Sequence, residues 1–104
     1  MEIKLAQSKA LIRGKKMGIK NQKPLEILAA ITEELGEVVT EVALFEQIGN
    51  KINWERKADK KLLAREISQL IINVMGLASH YDIDIDNAFS ELLKSKAKKS
   101  TADI

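Results

Sequence analysis

Glutamates stand at positions 33, 34, 37 and 41 of the chain. In a helix, Glu34, Glu37 and Glu41 follow one another at steps of three and four and line one narrow face, with Glu33 turned toward solvent. No Lys or Arg lies within four positions of Glu34 or Glu37 to offset the repulsion between them. Further along, Glu66, Gln69 and Asn73 repeat the same steps and interrupt a segment that is otherwise apolar. A carboxylate in apolar surroundings is costly unless it is paired or bound to a cation. If the two segments pack as antiparallel helices, Glu34 and Glu37 face Glu66. Three converging carboxylates make a hard oxygen site suited to Mg²⁺, which retains several waters and accepts phosphate oxygens as further ligands. That equipment serves metal-assisted attack of water on a phosphoanhydride. The competing reading is a solvated face for Glu34 and Glu37, with Glu66 at a rim beside Arg65 or Lys61 of a neighbouring chain. Two matching stripes weigh against it.

The elements that must position these groups read as helices. Pro24 suits the first turn of a long helix, where its missing N–H costs nothing. From there Leu28, Ile31, Leu35, Val38, Val42 and Phe45 recur at three and four, the rhythm of an apolar stripe. Gly49-Asn50 is the expected stop, with glycine as the C-cap. A connector carrying Trp54 leads to a second long helix from about Asp59 to Tyr81. Its apolar residues, from Leu62 to Ala78, cover most of the circumference, so it should be buried on several sides. In a chain this short, that burial calls for a second subunit. Asp84 or Asp86 can cap a shorter last helix, and residues 2–16 form a weakly patterned first one. The expected class is all-α: a helical bundle of about four helices, completed by homo-oligomerisation.

Composition narrows the field. The 104 residues fit a single domain. The lack of cysteine excludes a disulfide scaffold and thiolate zinc sites. No apolar run is long enough to span a bilayer, and the first residues, with Glu2 and Lys4, do not read as a secretory signal, so a soluble, cytoplasmic protein is expected. The net charge of +2 hides an asymmetry. The amino-terminal segment, residues 1–23, carries +6, residues 24–93 carry −7, and the tail, residues 94–104, carries +3. An acidic middle between basic ends fits carboxylates for a cation with lysines nearby for an anion. It fits a nucleic-acid binder poorly, because such a protein wants one basic face. Solvated, frayed ends are the simpler account of the Lys94–Lys99 stretch.

Glu33-Glu34-Leu35-Gly36-Glu37 followed by Glu66-Ile67-Ser68-Gln69 resembles the MazG family of nucleoside triphosphate pyrophosphohydrolases, whose pattern is EExxE on one helix and ExxD on the next. The segment from Tyr81 to Ala88, leading to Lys94, is similar to the family's turn into its last helix, and the likeness runs from about Leu25 to Lys98. The resemblance implies an all-α dimer or tetramer that cleaves nucleoside triphosphates between the α and β phosphates. It implies Glu34, Glu37 and Glu66 as Mg²⁺ ligands, with Glu33 orienting them or the attacking water. The family's fourth ligand, an aspartate, is Gln69 here. An amide offers a carbonyl oxygen but neither a negative charge nor a general base. Asn73 occupies a position where the family often contacts the nucleotide.

Three further residues are weighed on their own chemistry. Lys94 and the lysines after it could steer a polyphosphate. Trp54 could stack on a base, although a hydrophobic plug is the commoner use of such a residue. Glu41 could supplement the ligand set where Gln69 falls short. Asp82, Asp84 and Asp86 imitate the start of an EF-hand loop, but Asn87 and Leu93 stand where glycine and the bidentate glutamate are required. His80, the only histidine, reads as a structural residue. Two alternatives remain beside the enzyme: a weakened relative that binds nucleotide or scaffolds a partner, and a small helical nucleic-acid-binding dimer whose affinity falls with salt.

Overall fold

The computed structural model describes residues 2–18, 22–48 and 56–103, the stretch 96–103 by its backbone alone. Among the described residues there are four α-helices and no strand: α1 (Ile3–Lys16), α2 (Pro24–Glu46), α3 (Lys60–His80) and α4 (Ile85–Asp103). No helix among them is long and apolar enough to cross a membrane. Contacts gather into two compact units. One holds Gln22–Val74, with α2 and most of α3; the other holds Met1–Asn21 and Met75–Ile104, with α1, the end of α3 and α4.

In the first unit, α2 starts at Pro24 as expected, and the side chain of Glu26 turns back to accept the Lys23 N–H at 3.2 Å. This is the carboxylate half of a capping box. The helix stops earlier than Gly49. Gln47 takes the left-handed conformation (φ 52°) that glycine favours, and the Ile48 N–H reaches back to the Ala43 carbonyl at 3.3 Å. Gly49 lies outside the described residues. Two hydroxyls on α2 are satisfied within the helix: Thr32 Oγ1 donates to Leu28 O and Thr40 Oγ1 to Gly36 O. Asp59 caps α3 by accepting the Lys61 N–H at 2.9 Å.

Burial departs from the expected seam. Ile31 and Val38 are half-buried, whereas Leu28, Leu35, Val42 and Phe45 are exposed. The buried positions of α2 are Ile27, Glu41, Ala43 and Leu44. Apolar residues occupy more than one face of this helix, and periodicity alone does not choose the face that turns inward. On α3 only Ala78 is buried, and Ile67, Ile71 and Val74 are exposed.

In the second unit, one side chain links α1 to the end of α3 and the start of α4. Gln7 Nε2 donates to Ser79 Oγ and to the Ile83 carbonyl, and Gln7 Oε1 accepts the Ile85 N–H. The Lys4 N–H adds a bond to Asp86 Oδ2. The half-buried residues of α1 are Ile3, Ala6, Gln7, Ala10 and Gly14. Between α3 and α4, Asp82 is left-handed (φ 55°), and the Ile83 N–H bonds back to the Ala78 carbonyl. Asp84 then caps α4 by accepting the Asn87 N–H. Helix α4 is longer than expected. The backbone of the basic 94–103 stretch stays helical through Asp103, because no glycine or proline follows Asn87 to end it.

Candidate metal centre

Helices α2 and α3 each contribute to one acidic group in the Gln22–Val74 unit. Glu34, Glu37 and Glu66 each present a carboxylate oxygen, and the three oxygens lie within 4.8 Å of one another. Glu34 and Glu37 share a face because they stand three residues apart on α2, and Glu66 meets them from the second turn of α3.

The electrostatics are those of an anionic group short of a counter-ion. Glu34 and Glu66 are half-buried and Glu37 is exposed. Glu34 Oε2 is shut off from solvent and has no hydrogen-bond partner among the described residues. The Glu66 carboxyl titrates above its ordinary value. The main cause is the hydrogen bond it shares with Glu37, followed by desolvation and the charge of Glu37. A hydrogen bond with Glu34 and the charge of Arg65 pull the other way and do not prevail. The cluster therefore keeps a proton where a lone glutamate would lose it.

These residues can hold a divalent cation. Oxygens on opposite sides of a Mg²⁺ ion stand about 4.2 Å apart and adjacent ones about 3 Å. A spread of at most 4.8 Å is within a small side-chain adjustment of that geometry. A cation bound there would offset the charge of the three carboxylates and replace the proton on Glu66.

Gln69 and Asn73 follow Glu66 along α3, with Gln69 Nε2 donating to Asn73 Oδ1 at 3.3 Å. The amide oxygen is thus the ligand atom Gln69 can offer. Glu33 is exposed on α2 and takes no part in the cluster. Lys94 is exposed on α4, in the other unit. Trp54 lies outside the described residues.

Glu41 is not the supplementary ligand that its place in the stripe suggests. It is 5% exposed, and both its oxygens are taken by Arg56: Nη1 donates to Oε1 at 3.0 Å and Nη2 to Oε2 at 2.7 Å. The guanidinium, raised above its ordinary pKa chiefly by that bond, stays charged. A bidentate pair of this kind satisfies the carboxylate and removes it from competition for a metal. The partner was hidden in the sequence because it lies 15 residues away, across the connector. His80 is exposed and meets Tyr81 edge to face, with ring centroids 5.1 Å apart.

Comparison with protein-family models, with curated proteins and with solved structures finds no match to this chain.

Proposed function

We propose that the protein is a Mg²⁺-dependent nucleotide pyrophosphohydrolase of the MazG type, cleaving nucleoside triphosphates to a monophosphate and pyrophosphate. The observation that carries this reading is the convergence of Glu34, Glu37 and Glu66, with one carboxylate oxygen of each within 4.8 Å of the others. The spacing of these residues, EExxE then ExxQ, supports it independently. Bound there, Mg²⁺ supplies charge stabilisation at the phosphates and acidifies a coordinated water. The chain's own part is to hold that ion through three carboxylates, with the amide oxygen of Gln69 as a weak fourth ligand. Glu33 orients the ligands or the water, Asn73 and Trp54 contact the nucleoside, and Lys94 draws in the polyphosphate. The enzyme works as a homodimer or homotetramer in the cytoplasm, clearing non-standard or surplus nucleotides.

Gln69 favours a second reading. One negative charge fewer than the family's ligand set weakens metal binding, and an amide cannot serve as a base. On that reading the chain binds nucleotide without turning it over efficiently. Pyrophosphate release from a nucleotide panel, with Mg²⁺ and with chelator, separates the two. The enzyme reading expects Mg²⁺-dependent release that Glu37→Gln reduces by at least about 100-fold, as befits a metal ligand. A gain in Gln69→Asp over a nearly inert wild type marks the weakened relative. Inertness of both proteins, with no nucleotide bound in the presence of Mg²⁺, overturns the proposal.

A further inference from the structure

Arg56 stands four residues ahead of α3 and reaches back to α2. Its guanidinium holds both oxygens of Glu41, at 3.0 and 2.7 Å, and among the described residues this is the one salt bridge. Glu41 is also the one buried charged side chain among them. It follows Glu37 by four positions, on the face of α2 that carries Glu34 and Glu37. The pair therefore sits about 6 Å along the helix from the acidic cluster.

The meeting of Glu66 with Glu34 and Glu37 needs α3 held in one register against α2. Other features of the Gln22–Val74 unit do not supply that hold. Thirteen residues, 47–59, separate the two helices. Fully extended, a link of that length could span about 40 Å, so it fixes neither slide nor rotation. Among the described residues no large side chain is completely buried, so no interlocked core selects one packing. The cluster itself opposes the hold, because like charges within 4.8 Å of one another repel. A guanidinium fork on both oxygens of a buried carboxylate sets orientation as well as distance. Leaving that carboxylate buried without its partner is costly, so slipping out of the pair is penalised.

We propose that Arg56 is a positioning residue: its hold on Glu41 fixes the register of α3 in which Glu66 meets Glu34 and Glu37. The consequence for Mg²⁺ rests on the metal centre proposed above, whereas the register is read without metal. Arg56→Gln would strand the buried Glu41. The decisive variant therefore replaces both partners, Glu41→Leu with Arg56→Met, a kind of exchange that often leaves stability unharmed. Because the chain has no cysteine, spin labels can be placed at Ala29→Cys on α2 and Ser68→Cys on α3, both exposed positions. Dilution with unlabelled chain keeps the measured distance within one chain. With Glu41 and Arg56 intact, the labels should give one narrow distance. The double replacement should broaden it or shift it by about 5 Å, one helical turn, while the circular dichroism spectrum stays helical. Calorimetric titration should then find Mg²⁺ bound at least about 10-fold more weakly, the scale of loss when groups that orient metal ligands are removed. A pair that only stabilises the fold would move the melting temperature and leave the distance and the Mg²⁺ affinity alone. An unchanged distance in the folded double variant overturns the proposal, and so does unchanged or tighter Mg²⁺ binding. If the wild type takes up no Mg²⁺, the metal centre falls, and the label distance by itself decides whether Arg56 sets the register.

Discussion

Glu66 owes its raised pKa chiefly to its hydrogen bond with Glu37, then to desolvation and the charge of Glu37, and this gives the metal-free chain a characteristic dependence on pH. The folded state holds a proton on the Glu66 carboxyl where the unfolded chain, near the ordinary value of 4.5, has released it. Between those two values the native state binds more protons than the unfolded one, so stability falls as pH rises through that window. A bound cation removes this dependence, because it competes with the proton and favours the ionised cluster. In chelator, the melting temperature should therefore decline as pH rises above 4.5. With millimolar-range Mg²⁺ in excess of its Kd the decline should vanish, and the protein should gain about 1.4 kcal/mol for each further tenfold in ion. Thermal unfolding followed by circular dichroism across pH, with and without Mg²⁺, checks this. An identical pH profile in both conditions would show that the cluster holds no ion. The motif and the spacing of the three glutamates were legible along the chain. The commitment of Glu41 to Arg56 was not, because an ion pair across a connector leaves no periodic trace.

At the scale of the element, the helices begin where local chemistry directs and end with less regularity. Pro24, Asp59 and Asp84 all stand at helix starts, as proline and short acidic residues should. Gln47 is the exception, holding a left-handed turn without glycine's freedom. Gln47→Gly should stabilise the fold by about 1 kcal/mol, by removing the strain of that conformation. Urea denaturation with an unchanged slope is the measurement. A loss of stability would show that the Gln47 side chain contributes more than its backbone strain costs. Gln7 is a separate case. A glutamine on a weakly patterned helix carries no signal of its role, yet it bonds to Ser79, Ile83 and Ile85. Gln7→Ala should cost about 2 kcal/mol, since it strands a half-buried serine and two backbone groups. A change within a few tenths of a kcal/mol, the usual range for surface positions, would mean that water replaces the amide freely.

For the whole molecule, the buried apolar core of the described residues is small, and the proposed homo-oligomer predicts a stability that depends on concentration. Folding and association coupled in one step make the melting temperature rise with protein concentration, which an independent monomer does not show. A scan over a hundredfold range should move the midpoint upward by several degrees. Composition and pattern determined that the chain is helical, that its acidic groups lie in the middle, and which carboxylates share a helical face. These are local matters, set by the spacing of residues along a helix and by the residues that start it. Only the tertiary structure decided which face of α2 turns inward, that Glu66 reaches the Glu34–Glu37 pair while Glu41 does not, and that so many leucines, isoleucines and valines stay uncovered. Those outcomes depend on how separate segments meet. A helix with apolar residues on more than one side can rotate among several packings of equal periodicity, and contact with its neighbours selects one.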